Sequence, residues 1–182
     1  MDFKIGHAIT EDLETIKELN LDFLKEHNNR FEKRFRINKE NEKRITRYLK
    51  ERISAKNVLV ARSDRGIIGY LTVTDEKHPL ELCHKLAYIA SIYVKPQFRN
   101  KGVGKVLLSK AIGQASDRRY EQVSLRVATK NDSAVTLYEN VGFRTKFLEM
   151  ECDTKKNACE FTEKLLKSFF KLFRGCPAIQ PQ

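Results

Sequence analysis

The segment 94–105 combines glycines and cations in a spacing that suits phosphate binding. An apolar run ends there, a short basic loop follows, and Gly102 and Gly104 stand at the start of a predicted helix. A helix N-terminus exposes unpaired N–H groups and a partial positive charge, and glycine lets an anion approach the backbone closely. The segment therefore predicts a site for a diphosphate group. Three cations add their charge to it: Arg99, Lys101 and Lys105.

Spacing excludes two familiar phosphate motifs. The P-loop has four residues between its glycines and then Lys-Ser or Lys-Thr, whereas only Val103 separates Gly102 from Gly104. The dinucleotide fingerprint has a third glycine, where Leu107 stands in this chain. The same two glycines could instead serve tight helix packing, and that structural interpretation stays open at this point.

A second informative segment spans residues 131–143. Asn131 can cap a short helix, and Gly142 is a typical residue to end it. Taken alone, this is an ordinary capped helix in which Tyr138 is most often a core aromatic. The importance of the segment comes from its pairing with the glycine segment.

The chain carries R-x-x-G-x-G at residues 99–104 and, about thirty residues later, N-x-x-A-x-x-L-Y-E-x-x-G-F at residues 131–143. In order and spacing, the two motifs closely resemble the GNAT superfamily of acyl-CoA-dependent N-acetyltransferases. The resemblance covers roughly residues 3–152. It implies an enzyme that moves an acetyl group from acetyl-CoA, as cosubstrate, to a primary amine of a small molecule or a protein, without a metal.

The resemblance also implies which residues contact the cofactor. The strand end at Ile92, Tyr93 and Val94 would splay from its neighbour and pair with pantetheine, and the N–H of Ile92 or Val94 would polarise the thioester carbonyl. Asn131 would help to fix the cofactor. The loop and helix start would hold the pyrophosphate through Arg99, Asn100, Lys101, Gly102, Val103, Gly104 and Lys105.

By the same likeness, Tyr138 lies beside the sulfur of CoA and is the predicted catalytic residue. An ordinary phenol has a pKa near ~10, so it is protonated at neutral pH. It can therefore donate a proton or a hydrogen bond to the leaving thiolate.

The general base is not predicted from the sequence. An acceptor amine with a pKa near ~10 must lose a proton before it attacks. Relatives carry a glutamate on the strand before the loop or on the next strand, and those positions hold Tyr88 and Arg126 here. The alternatives left open are a water relay past Tyr88, Ser91 or Tyr93, and the loop residues Glu81 and His84.

Hydrophobic periodicity predicts an α/β fold in the order β-α-α-β-β-β-α-β-α-β, with a mixed sheet and helices on both faces. Asn38 and Asn131 are predicted helix caps, Asp64-Arg65-Gly66 a hairpin turn, and Pro96 a strand end. The predicted strands are 3–8, 58–61, 67–73, 86–94, 123–127 and 143–152. The predicted helices begin at Thr10, Asn38, Gly102 and Asn131.

The last part of the chain is predicted to be an appendix. We divide the sequence into an acetyltransferase-like domain at 1–152 and a C-terminal amphipathic helix and tail at 153–182. Apolar residues at helical spacing in 161–174 are interleaved with Lys and Arg. We expect this helix to pack on its own domain or in a homodimer interface, with an anionic membrane or a docking partner as the alternatives.

The formal charge of +11, from 35 Lys and Arg against 24 Asp and Glu, favours polyanionic or phosphorylated partners. Basic residues of the first loop and second helix suit an acceptor with a carboxylate or phosphate, or an acidic protein segment, although a solvated surface explains them too. These residues are Arg30, Lys33, Arg34, Arg36, Lys43, Arg44 and Arg47.

Other classes are disfavoured. No signal peptide, 18-residue apolar run or zinc-ligand spacing is found, and the four cysteines form no CxxC pair, so we expect a cytoplasmic protein without a metal. Specific nucleic-acid binding lacks clustered aromatics and a recognition-helix motif. A non-catalytic acyl-CoA-binding module of the same fold remains the alternative to the enzyme.

Overall fold

The structure is a computed structural model that describes residues 1–31, 33–76, 85–147 and 149–151. The chain divides into two units, Met1–Arg144 and Thr145–Gln182. All helices and strands of the described residues lie in the first unit. The predicted helix at 161–174 lies outside the described residues, and the predicted boundary at residue 152 stays a prediction.

The first unit contains five strands and four α-helices within the described residues. Their order is β1 Lys4–His7, α1 Leu13–Arg30, α2 Lys39–Ser54, β2 Val58–Ser63, β3 Gly66–Glu76, β4 Leu86–Val94, α3 Val103–Asp117, β5 Gln122–Leu125 and α4 Asp132–Glu139. Short 3-10 turns precede α1 at Thr10–Asp12 and α3 at Pro96–Phe98.

The strands form one mixed sheet in the order β1-β2-β3-β4-β5. The first four strands are antiparallel, and β5 is parallel to β4. The α3 helix supplies the crossover that a parallel pair requires. This arrangement confirms the predicted α/β class with a mixed sheet.

Two apolar clusters cover the two faces of the sheet, as alternation along β2 illustrates. Leu59 and Ala61 pack with α3 and α4, whereas Val58 and Val60 pack with α1 and α2. Because successive side chains of a strand point to opposite faces, the run of buried residues in β2 indicates helices on both sides.

Several local predictions are confirmed at residue level. The Asn38 side chain caps α2 by accepting a hydrogen bond from Asn41 N–H at 2.9 Å. The predicted hairpin turn joins β2 to β3, with Gly66 at φ +81°. The predicted strand 86–94 has the bounds of β4.

The predicted strand at 143–152 is wrong for the residues of this range that the structure describes. Residues 143–147 and 149–151 form no strand. Alternating apolar and polar residues favour a strand only where a neighbouring strand satisfies the backbone hydrogen bonds. Instead, Gly142 adopts φ +104° and the N–H of Phe143 donates to Tyr138 O at 3.0 Å, which closes the end of α4.

Candidate active site

The central feature of the site is a gap between β4 and β5. The two strands pair only from Leu86 with Gln122 to Ile89 with Leu125. Strand β4 continues to Val94 and remains paired with β3 on its other side. Within the described residues, the second half of β4 therefore has an edge without a strand partner.

The backbone of Ile92 and Val94 faces this open edge. The N–H of Lys95 donates to Ile68 O at 2.9 Å. Because hydrogen-bonded residues alternate along an antiparallel ladder, Tyr93 and Ser91 direct their backbone groups towards β3, and Ile92 and Val94 direct theirs away. In agreement, Val94 O accepts a hydrogen bond from Arg99 Nε at 2.9 Å.

The loop after β4 turns sharply to start α3. Pro96 opens its 3-10 turn, and the buried ring of Phe98 anchors it to the core. Asn100 and Gly102 have φ values of +59° and +80°. Residues with a Cβ rarely adopt this left-handed region, so glycine at position 102 suits the turn that aims the helix.

Among the described residues, no side chain caps the N-terminus of α3, and the first turn of this helix contains no acidic residue. Its first helical hydrogen bond runs from Val106 N–H to Gly102 O at 3.0 Å. The N–H groups of Val103, Gly104 and Lys105 therefore have no helical acceptor. With the helix dipole behind them, they form an anion-binding end.

Gly104 has a packing role as well. A Cβ at this position would lie 3.1 Å from Leu137 Cδ2 on α4. The missing side chain thus lets α4 approach the first turn of α3. The packing interpretation of the glycines is correct for Gly104, and it brings the two sequence motifs together in space.

The Arg99 side chain forms an ion pair that the sequence did not predict. Its guanidinium donates to both carboxylate oxygens of Glu26, at 2.9 and 2.6 Å, and lies over the ring of Tyr93 at 5.3 Å. The hydrogen bonds from Arg99 lower the pKa of Glu26, and the pKa of Arg99 is raised in turn. Glu26 therefore balances the charge of Arg99 in this structure, and the contact of Arg99 with a diphosphate stays a prediction.

The two lysines predicted for the cofactor differ in their contacts. Lys101 Nζ donates to Gln97 O at 3.0 Å and lies 5.8 Å from the Phe98 ring centroid. Lys105 is exposed in the first turn of α3, beside the unpaired N–H groups. Of the three predicted cations, Lys105 is therefore the best placed to reach an anion there.

Asn131 and Tyr138 belong to α4. Asn131 Oδ1 caps the helix by accepting from Ala134 N–H at 3.4 Å and from the Ser133 hydroxyl at 3.2 Å. Tyr138 is 9% exposed and packs edge-on against Phe143 at 5.9 Å. The Tyr138 ring belongs to the apolar cluster that also contains Ile89 and Val103. The preceding residue, Leu137, packs against the same cluster.

Burial raises the pKa of Tyr138 to about 12, with a smaller effect from Tyr88. The phenol is therefore protonated throughout the neutral range and can act as a donor. Tyr88 belongs to the last paired stretch of β4, next to Ile89. Because Tyr88 affects the pKa of Tyr138, the two side chains are near one another, and Tyr138 is therefore close to the point where β4 and β5 separate.

The residues considered for proton removal differ in their surroundings. The Ser91 hydroxyl is hydrogen-bonded to Thr72 at 2.7 Å in the buried layer under α1 and α2. Burial raises the pKa of Tyr93, and the charge of Glu26 adds to that rise. Arg126 is exposed just after β5. Glu81 and His84 lie outside the described residues.

Sequence reasoning missed an aromatic cluster beside this site. Phe23 meets Tyr93 edge-on at 6.4 Å, and His27 contacts Phe23, Phe31 and Phe35 at 6.3, 5.3 and 5.0 Å. The four-residue spacing of Phe23 and His27 on α1 and of Phe31 directly after it was the available signal. Nothing local indicated that Glu26, on the same helix, would reach Arg99.

Comparisons with known proteins agree with this geometry. A model of the Acetyltransferase (GNAT) family matches residues 16–143. A candidate acetyl transferase of known structure from Pyrococcus furiosus has a TM-score of 0.65 and 28% identity, over 84% of this chain and 99% of that chain. The chain belongs to the GNAT family of acetyltransferases.

Two curated relatives share shorter stretches. The Uncharacterized N-acetyltransferase MJ1207 of Methanocaldococcus jannaschii is 39% identical over 62 residues, which is 34% of this chain and 27% of that protein. Thialysine N-epsilon-acetyltransferase of Sus scrofa is 39% identical over 57 residues, which is 31% of this chain and 34% of that protein. The matches thus span about a third or less of these relatives.

Two further observations concern the described residues. No helix among them is both long and apolar enough to span a bilayer. No group of three or more His, Cys, Asp and Glu side chains in the same residues has a geometry that could hold a metal ion.

Proposed function

We propose that the protein transfers the acetyl group of acetyl-CoA to a primary amine. The observation that carries this proposal is the uncapped N-terminus of α3 beside the open edge of β4. The first feature suits a pyrophosphate, and the second suits an extended amide chain such as pantetheine. Coenzyme A combines both groups in one ligand.

In the proposed complex, the cofactor follows the chain direction from β4 to α3. The N–H groups of Val103, Gly104 and Lys105 receive the pyrophosphate, with Lys105 as a counter-charge. The pantetheine amides bond to the outward backbone groups of β4. Arg99 already occupies Val94 O, so Ile92 and the Val94 N–H are the backbone groups assigned to the cofactor.

The chemistry is a direct transfer. The nitrogen lone pair of the neutral amine attacks the thioester carbon, and the negative charge that develops on the carbonyl oxygen is stabilised by the N–H of Ile92 or Val94. The C–S bond then breaks, the amine nitrogen loses its proton, and the sulfur leaves as CoA thiolate. Tyr138 donates a hydrogen bond to that thiolate.

The raised pKa of Tyr138 refines its proposed role. A thiol has an ordinary pKa near ~8.5, well below the value of about 12 for Tyr138. Full proton transfer from this phenol to a thiolate is therefore uphill. Tyr138 serves as a hydrogen-bond donor that lowers the energy of the leaving group, and the proton that finally resides on sulfur comes from solvent or from the acceptor amine.

A non-catalytic acyl-CoA-binding module is the second candidate. It is favoured by Tyr88 and Arg126, which stand where a carboxylate base is expected from the family resemblance. Both candidates predict cofactor binding, but only the enzyme predicts amine-dependent turnover.

Two measurements on the full chain separate these cases. Calorimetry with acetyl-CoA tests binding, and thiol release from acetyl-CoA with pooled amines, amino acids and peptides tests transfer. Binding together with amine-dependent thiol release supports the enzyme. Binding without release by any acceptor supports the sensing module, and the absence of binding overturns both.

A further inference from the structure

A strongly basic surface follows the end of α1. Between residues 30 and 50 the chain has nine Lys and Arg against three Glu. We use the term basic rim for six of these cations, which are all exposed on the loop and on α2: Lys33, Arg34, Arg36, Lys43, Arg44 and Arg47. Arg30 is described with α1, at whose end it pairs with Glu26 at 2.8 Å.

The basic rim begins next to the open edge of β4. The last turns of α1 are attached there by the Glu26–Arg99 ion pair and by the contact of Phe23 with Tyr93. The loop with the first three cations leaves α1 directly after these contacts. Lys33, the first rim cation, follows Glu26 by seven residues in the chain.

The loop is held in place by side-chain contacts. The Asn28 amide donates to Phe35 O at 2.6 Å and accepts from Phe35 N–H at 3.0 Å, while the Phe35 ring packs on His27. Arg34 and Arg36, on either side of Phe35, are exposed. The positive charge is thus presented by an anchored segment, which lowers the entropy lost on binding.

The extent of the rim indicates the size of its partner. Its cations on α2 stand at residues 43, 44 and 47, about 6 Å along the helix axis, and three more stand on the loop before α2, so a ligand with one anionic group can pair with only part of the six charges. An extended chain with several anions can contact it throughout. Because exposed positive surfaces favour partners of opposite charge, the partner should carry repeated carboxylates.

Nucleic acid fits this surface less well. Single-stranded nucleic acids rely on exposed aromatic faces for stacking, whereas Phe31 and Phe35 are partly buried and contact His27. A polypeptide also supplies the aliphatic amine that the transfer requires, at its N-terminus or on a lysine.

We infer that the acceptor is an acidic polypeptide segment, whose amine reaches the gap beside Tyr93 while its flanking carboxylates lie on the basic rim. This inference rests on the proposed function, since it assigns the acceptor of the same reaction.

The test compares peptides of equal length that share one lysine and a free N-terminus but differ in flanking residues, which are either Glu and Asp or Gln and Ser. Thiol release gives kcat/KM for each peptide. We expect kcat/KM to be about tenfold higher for the acidic peptide, which is the effect that a few exposed ion pairs would have. This preference should shrink between 0.05 and 0.5 M NaCl because salt screens exposed charges.

Paired variants locate the effect. The double variant Lys43→Ala/Arg47→Ala removes two rim cations one turn apart on α2 and should lose most of the acidic preference. The matched control Lys4→Ala/Lys110→Ala removes two exposed cations on β1 and α3, and it should keep that preference. Calorimetry with acetyl-CoA should give the same Kd for all three proteins.

Several outcomes overturn the inference while leaving the proposed function intact. They are equal kcat/KM for acidic and neutral peptides, an acidic preference that survives in the Lys43→Ala/Arg47→Ala variant, and thiol release with small amines but with no peptide. Tighter binding of a single-stranded DNA oligonucleotide than of the acidic peptide also contradicts it. The absence of acetyl-CoA binding overturns the proposed function, and the inference falls with it.

Discussion

Arg99 and Glu26 form a two-point ion pair that joins the glycine loop to the end of α1, across 73 positions of sequence. The same guanidinium holds Val94 O, so one side chain connects strand, loop and helix. This contact keeps the loop in place before any cofactor arrives. The loop before α3 is thereby attached to the last turns of α1.

Replacing Glu26 by Gln should loosen the loop. We expect the Kd for acetyl-CoA to rise several-fold and the free energy of unfolding to fall by about 1 kcal/mol, because a partly exposed charged pair contributes little more. Calorimetry and urea unfolding measure the two effects. Glu14→Gln, at an exposed pair with Lys17 on the same helix, is the control. Tighter cofactor binding in Glu26→Gln would mean that Glu26 competes with the pyrophosphate for Arg99.

The Glu26 pair should also make stability depend on pH. Since Arg99 lowers the pKa of Glu26, the folded state binds fewer protons there than the unfolded state. The resulting stability is present above the ordinary glutamate pKa of ~4.3 and is lost as pH falls through the lowered value. The difference in stability between the wild type and Glu26→Gln should therefore disappear in acid. A difference that is unchanged down to pH 2 contradicts this.

Tyr138→Phe should slow turnover without altering binding. The substitution removes only the hydroxyl, so the cluster around Phe143 stays filled. We expect kcat to fall by about 10- to 100-fold, as loss of one transition-state donor would give, with an unchanged Kd for acetyl-CoA. The Tyr120 hydroxyl donates to Asp75 away from the gap, so Tyr120→Phe should retain the wild-type kcat. Full activity of Tyr138→Phe removes the assigned role.

The pH profile should show no alkaline loss due to Tyr138. Its pKa of about 12 keeps the phenol protonated well beyond the ordinary value of ~10. With a lysine-type acceptor, kcat/KM should rise through pH 7–9 as the amine loses its proton and should not fall again by about pH 10. A falling limb below pH 10 that vanishes in Tyr138→Phe would show that the phenol ionises earlier.

Gly102→Ala should weaken both the fold and cofactor binding. At φ +80° an alanine is strained by about 1–2 kcal/mol, although its Cβ meets no atom within 4 Å. Relief of this strain would turn the first N–H groups of α3, so the Kd for acetyl-CoA should rise at least about threefold. Gly113→Ala, also in open space but inside α3, should stabilise the protein by about 0.5–1 kcal/mol and leave Kd unchanged.

Patterns among residues close in sequence predicted most helices and strands. Contacts between residues far apart in sequence could not be predicted in this way. The apolar run before Pro96 predicted β4, and Asn38 and Asn131 marked the starts of α2 and α4 because capping depends on neighbours in sequence. The strand predicted at 143–152 was wrong in its described residues because pairing depends on a partner that periodicity does not specify.

The two motifs predicted where α3 and α4 begin, and the contacts of these segments with a cofactor stay a prediction. The left-handed conformation of Gly102, at φ +80°, was not predicted, because the residue before a helix ordinarily has an extended backbone. The contact between Gly104 and Leu137 and the pair between Arg99 and Glu26 join residues far apart in the chain. No spacing rule encodes such contacts, which is why the positioning of the loop was missed while its location was found.

The half of β4 that has no strand partner within the described residues has a consequence for handling the protein without ligand. Backbone donors and acceptors left open along a strand invite pairing with another chain. If pantetheine lies along Ile92 and Val94, it closes that edge in the way an added strand would. The unliganded protein should then self-associate more readily on concentration or warming, and CoA in the buffer should suppress that association as well as raise the melting temperature.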